Sequence, residues 1–378
     1  MNIDFHYYAT YCAAFLAGYD HENSMQIAYC AQFTDCCSVT LLRKIKGPES
    51  AATTQLQMEL MDVSTEPFGL QEITRIWASF HFLPGDLKAR RDGCSKRYLH
   101  KYRLICNTNS ELLKATVDLA AGRGTQAAGL AMHILADTWA HKYFAGTPSL
   151  AINNTNYYFY EIVPEDGGWA EKPVRFNHNP GTPDEPDKEI YTNSLYQGSE
   201  HSVMNLGHGR AGHFPDYSYA RYRYLPAWGE YREIVKDNPS DFFHAFCQMV
   251  YALKCLKNGT PFETERYDVE AVWPYKDEII RILEIRQTDA CADWKALAEK
   301  ISGQVPEDFD IKKYQQEYRD AHKDNKNETF LGRFISAALA QKRMVTASIL
   351  ASGNFLAGYS EGNVKNGFSL IKDLRPQP

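Results

Sequence analysis

The stretch TQAAGLAMHILADTWAHKYFA, residues 125–145, decides how this chain is read. Its side chains are mostly small and apolar, and Gly146 and Pro148 close it, so the sequence predicts a long helix with a core face. Within it stand His133, Asp137 and His141, each four residues from the next. Steps of four advance about 40° around a helix, so the three side chains share one stripe about 80° wide. Two imidazoles and a carboxylate among apolar neighbours are costly to bury unless hydrogen-bonded, ion-paired or bound to a cation. Imidazole and carboxylate are also zinc ligands. Either a His–Asp hydrogen-bonded pair in the core or a metal site would use these residues.

Outward from this segment, helical periodicity dominates. Residues 5–17 and 24–42 read as two antiparallel helices, and 110–121 opens on Ser110 with good capping chemistry. Further helices are expected near 194–210, 239–257, 276–286, 292–302, 310–323 and 328–352. Between 161 and 187 a polar run carries five prolines and three glycines, which predicts a long irregular loop. Strand-like alternation is confined to 157–163. The chain therefore reads as all-α: one large multi-helix domain, 1–378, with a half that bears the chemistry (about 1–216) and a helical C-terminal part (about 239–378).

With 378 residues, 44% hydrophobic side chains and a formal charge of −6, the chain can bury a large core, and it is not basic overall as a dedicated nucleic-acid coat would be. No run reaches the roughly 20 apolar residues of a membrane span. The start, Met1-Asn2-Ile3-Asp4, lacks the pattern of a secretory signal, which makes the cytoplasm the expected address. Nine cysteines without a C-x-x-C pair are expected to be reduced thiols. Lys88–Arg103 holds seven Lys or Arg with Tyr98 and Tyr102, either a phosphate contact or a solvated face. The Tyr-rich 217–231 reads as pocket lining or core.

Other chemistry-bearing residues are scattered. His6, Asp35 and His81 lie in apolar surroundings (Phe5, Tyr7; Phe33; Phe80, Phe82), where a solvated side chain is not expected. His208-Gly-Arg-Ala-Gly-His213-Phe-Pro-Asp216 forms a second cluster, and His201, seven residues before His208, shares a helical face with it. His213 and Asp216 serve either as ligands or as turn caps.

Taken in order, His6, Asp35, His81, His133-x3-Asp137-x3-His141 and His208 resemble the ligand series of the zinc-dependent phospholipase C and S1/P1 nuclease family, an all-α family with a trinuclear zinc cluster. The resemblance spans about the first 215 residues. The whole chain is also similar to an uncharacterised bacterial family of like length that carries F-H-F-x-P-G, H-x3-D-T-W-x-H and G-H-G-R-x-G-H-x-P-D. The zinc-family resemblance implies that Asp35, His81, His133 and Asp137 hold one ion, that His141 and His208 hold another, and that His6 stands near a third. It implies zinc-activated water attacking a phosphodiester, with Asp35 and Asp137 catalytic. Two departures stand out. That family supplies an N-terminal Trp to one zinc, where this chain has Met1; and Gly212, four after His208, brings no carboxylate, which leaves His213 or Asp216 as substitutes, with His201 a further candidate ligand.

The expected function is hydrolysis of a phosphate-containing substrate, nucleic acid entering only in that role, with zinc, iron or manganese as the metal. The same ligands would serve a non-haem iron oxidative enzyme, or a structural metal site in a non-catalytic binding or effector protein.

Overall fold

The computed structural model describes residues 1–63, 68–155, 158–179, 181–230 and 232–358. Tyr157, Pro180, Tyr231 and the end of the expected C-terminal part, 359–378, lie outside the described residues.

A π-helical turn, Asp4–Ala9, runs into α1 (Thr10–Leu16). There follow α2 (His21–Phe33), α3 (Val39–Ile45), α4 (Gly69–Phe80), α5 (Glu111–Ala120), α6 (Gly124–Ala140), α7 (Asn238–Asn258) and α8 (Phe330–Ala351). The expected 24–42 helix is cut in two because Ser38 turns extended and its side chain accepts the amide of Leu41, starting α3 afresh. Ser110 caps α5 as its spacing predicts, accepting from the Leu113 amide at 3.0 Å.

The central element is α6, every residue of which from Gln126 to Ala140 is buried. It packs against α2, α5, α7 and α8. The closest approach is to α2, where a Cβ on Gly129 would lie 2.2 Å from the Ile27 carbonyl oxygen and 2.7 Å from Cys30 Cβ. Gly129→Ala must therefore push two helices apart. We expect it to cost about 2 kcal/mol, the usual price of overpacking a core, measured by denaturant titration; an unchanged midpoint would mean the helices cross elsewhere.

The all-α expectation needs correction: the chain is mostly helical but also carries a four-stranded antiparallel sheet, ordered β2-β1-β5-β6. Its strands are β1 (Tyr160–Glu165), β2 (Gly168–Pro173), β5 (Arg221–Tyr224) and β6 (Ile234–Asp237); β3 (Phe176–Asn177) and β4 (Tyr191–Thr192) form a small parallel pair. Much of the expected 161–187 loop is thus a β1–β2 hairpin. Glu165 faces Gly168 across Asp166-Gly167, with Gly167 at φ +91°, a turn pair that favours hairpins. The 194–210 segment is not an α-helix; it forms short 3₁₀ turns at Val203–Asn205 and Gly209–Ala211 among Gly198, Gly207 and Gly209. In 310–323 only Gln315–Asp320 is α-helical.

The sheet brings a second, aromatic core of Phe82, Phe144, Phe159, Tyr191, Phe214, Tyr217, Tyr219, Tyr222 and Tyr224 beside the main helical one. The Tyr-rich segment is largely part of it. The basic run is divided: Lys88, Arg90, Lys96 and Arg97 are exposed, whereas Arg91 stacks over Tyr98 and Tyr102 and buried Lys101 pairs with Glu200 at 2.6 Å. All nine cysteines are unpaired. Among the described residues no helix is long and apolar enough to cross a membrane.

Candidate metal centre

The polar stripe of α6 faces a buried cluster where five chain segments meet. His133 and Asp137 come from α6, and His141 caps its C-terminus. The π-helical turn contributes His6, the segment after α2 contributes Asp35, and His81 caps α4. Finally, His208 precedes the 3₁₀ turn Gly209–Ala211 and Asp216 ends the turn Phe214–Asp216, both between β4 and β5. All but Asp35 among these carboxylates and imidazoles are at most 17% exposed in their side chains; Asp35 is 32% exposed.

Among the described residues three groups of ligand atoms converge closely enough to hold a cation: Asp35, His81 and His133; His6, His133 and Asp137; and His141, His208 and Asp216. In the first region His81 Nδ1, His133 Nε2 and Asp137 Oδ2 form a nearly equilateral triangle with sides of 3.1, 3.2 and 3.2 Å. Asp35 Oδ1 stands 3.7 Å from His81 and 3.8 Å from His133. Ligands at the corners of a zinc tetrahedron lie about 3.3 Å apart, so the triangle has the size of one face. In the third region His141 Nε2 is 3.1 Å from Asp216 Oδ1, and His208 Nε2 is 3.5 Å from Asp216 Oδ2.

Main-chain carbonyls hold several rings in place. His141 Nδ1–H donates to the His81 carbonyl at 2.7 Å, His208 Nδ1–H to the Gly212 carbonyl at 2.8 Å, and His81 Nε2–H to the Thr53 carbonyl at 3.0 Å. With one nitrogen committed in each, the other is left bare toward the cluster, the arrangement that orients metal-binding imidazoles. Gly212 serves through its backbone. It has φ +58°, and a Cβ there would lie 2.3 Å from the Thr192 carbonyl oxygen.

The residues present fit a cation on a further count. Both ring nitrogens of His6 and Nδ1 of His133 are buried without a hydrogen-bond partner, although His6 Nε2 approaches Asp137 Oδ1 at 3.2 Å outside hydrogen-bond geometry. Orphaned buried polar atoms are rare in native proteins and call for an explanation. A cation held by His6 would provide one.

Electrostatics prepare these groups in their ligand forms. Burial, aided by neighbouring His133 and the Met1 ammonium, lowers His6 to about 4. Burial, aided by His141 and opposed by Asp216, likewise lowers His208 to about 4. Burial would raise the carboxyl of Asp137, but His141, the Met1 ammonium, His133 and His6 hold it well below the usual range. Asp216 is held down in the same way against its burial by His208, Met1 and His141.

Of the residues expected at the site, His6, Asp35, His81, His133, Asp137, His141, His208 and Asp216 meet. His201 and His213 do not: His201 contacts Arg97, and half-exposed His213 bonds Asp184 at 3.0 Å. One participant escaped the sequence. The α-amine of Met1 lies 3.0 Å from Asp137 and 3.1 Å from Asp216 and is fully buried; burial would lower it, but Asp137, Asp216 and Asp35 raise it to about 11. Met1 thus stands in the cluster where the departure from the zinc family seemed greatest.

Fold and site define a mostly helical protein with, among the described residues, three His/Asp groups that could hold a metal ion. Residues 1–349 match a family model described as a family of unknown function (DUF6765), and the chain belongs to that family. No curated protein matches the chain. No solved structure matches it either.

Proposed function

We propose that the chain is a metal-dependent hydrolase of a phosphate ester, a phosphodiester in particular, that uses zinc. The observation that carries this reading is the position of Asp137. Its Oδ1 faces His6 at 3.2 Å, while its Oδ2 faces His81 and His133 at 3.1 and 3.2 Å and His141 at 3.5 Å. One carboxylate thus serves more than one ligand group, as neighbouring cations require. The converging residues follow the order of the zinc phospholipase C and S1/P1 nuclease series, which supports the same chemistry.

Asp35, His81 and His133 with Asp137 would hold one ion, His141, His208 and Asp216 a second, and His6 with Asp137 a third. Bound divalent cations acidify water toward neutral pH and neutralise charge on phosphoryl oxygens during in-line displacement. Asp35 is the most exposed of the ligands, and its carboxylate is placed to orient a water and accept its proton. His81 and His141, fixed from behind by carbonyls, would aim their facing nitrogens at the ions.

Metal analysis of purified protein, followed by assay on an aryl phosphodiester before and after chelation, tests this. Two or more zinc ions and a chelator-sensitive activity are expected. Iron with no diesterase activity would favour the oxidative alternative, and absence of any bound metal would remove the reading.

A further inference from the structure

Lys236, on β6, is a buried charge that the proposed chemistry does not use. Its side chain is 1% exposed, and its ammonium contacts Asp241 in the first turn of α7. The other hydrogen bond of that ammonium goes to the Trp139 carbonyl at 2.8 Å. A lysine needing only an aspartate partner gains nothing from burial, which carries a desolvation cost of several kcal/mol. Lys254, which lies on α7 and pairs with Asp268 beyond the helix, stays 35% exposed.

The Trp139 carbonyl explains the burial. Were α6 to continue, that oxygen would accept the amide of Tyr143. Instead the Tyr143 amide donates to the Cys106 carbonyl at 2.9 Å, and Tyr143 takes φ +83°, turning the chain away. One of the orphaned carbonyls at the helix end is thus left to Lys236, whose positive charge also suits the negative end of the helix. The stop falls at His141, which leaves helical geometry at φ −89°, ψ 9° and points Nε2 at Asp216. Trp139 is held from its other side by an indole N–H bond to Gln248 Oε1 at 2.8 Å and by stacking on His244.

We propose that Lys236 is a positioning residue: by capping the Trp139 carbonyl it fixes where α6 ends, and so sets His141 for the ion that His141, His208 and Asp216 share. This rests on the metal-centre reading above. It touches neither substrate nor ion, and it acts on one ion rather than on all.

The test is a zinc titration of the full chain in competition with a chromophoric chelator, for the unsubstituted protein, Lys236→Met and a Lys254→Met control. Lys236→Met should weaken one class of ion about tenfold to a hundredfold, the usual loss when an outer partner of a ligand is removed, and leave the other class unchanged. Lys254→Met should change neither. In an Asp216→Ala background, which lacks the affected site, adding Lys236→Met should have no further effect. If Lys236→Met is not recovered folded, Lys236→Gln, which keeps a donor but shortens the reach, should show the same selective loss in smaller degree. Equal weakening of every ion, or no weakening, overturns the proposal while leaving the metal-centre reading intact. An unsubstituted protein that binds no zinc fails the reading itself.

Discussion

Asp137→Ala is expected to strip the chain of all but one metal ion and to lower activity on an aryl phosphodiester by at least about three orders of magnitude, or ~4 kcal/mol of transition-state stabilisation. The expectation follows from the contacts of this one carboxylate, which reaches His6, His81, His133, His141 and the Met1 ammonium within 3.5 Å. Removing it opens the triangle it makes with His81 and His133 and deprives His6 of its nearest anionic partner. Only His141, His208 and Asp216 keep a complete set, so one ion should survive. The helix itself should persist, because alanine in a helix interior is at least as favourable as aspartate. Circular dichroism beside metal analysis separates the two effects. Full metal content in a folded Asp137→Ala protein would refute the shared-carboxylate arrangement.

What the sequence reveals about this site depends on where each residue sits. His133, Asp137 and His141 are legible from periodicity alone, because one regular element carries all three and its apolar surroundings make polar groups conspicuous. His6, Asp35, His81 and His208 lie on four other segments, and only the ordered resemblance to a known ligand series joins them; spacing gives no hint that Asp35 meets His81 across 46 residues. Asp216 was one of two substitutes, and a 3₁₀ turn rather than an α-helical face decides in its favour. The helical face that seemed to pair His201 with His208 does not exist, since the glycines there break it into turns. Met1 was invisible because its contribution is a main-chain amine, which no side-chain pattern encodes.

The fold shows the same division. Buried helices such as α6 and α7 announce themselves through long apolar periodic runs, whereas the sheet is made of strands of two to six residues. The alternation at 157–163 marks the start of β1, whereas β2 contains a proline and exposes most of its length, so neither composition nor alternation marks it. Only Asp166-Gly167 signals the hairpin. The sheet nevertheless matters to the site, since β6 delivers Lys236 to the end of the helix that bears the ligands.

Metal-free protein should be most stable near pH 6.5 and should lose about 3 kcal/mol between pH 6 and pH 4. The sign follows group by group. His6 and His208 sit at about 4 in the fold against 6.5 in the open chain, so the unfolded state takes up their two protons first, and their stability contribution is lost as pH falls through this window. Asp4 opposes them: burial, partly offset by amide hydrogen bonds, raises it from 3.8 to about 6, so the native state gains a proton over much the same range. Two protons favouring unfolding against one favouring the fold leave a net of about one, or ~1.4 kcal/mol per pH unit. Asp137 and Asp216, held low, add their loss only below 3.8. On the alkaline side burial opposes the charged form of His81, but its bond to Asp137 raises it, so its contribution declines as pH climbs past 6.5; that of Met1, raised from 8.0 to about 11, declines above 8. Bound cations need His6 and His208 without protons, so zinc should leave in the same acid window. Thermal unfolding in chelator at pH 4.5 and 6.5 measures the difference. A melting temperature that stays level or rises on acidification would mean that His6 and His208 keep their protons in the fold, which is incompatible with imidazoles poised for metal.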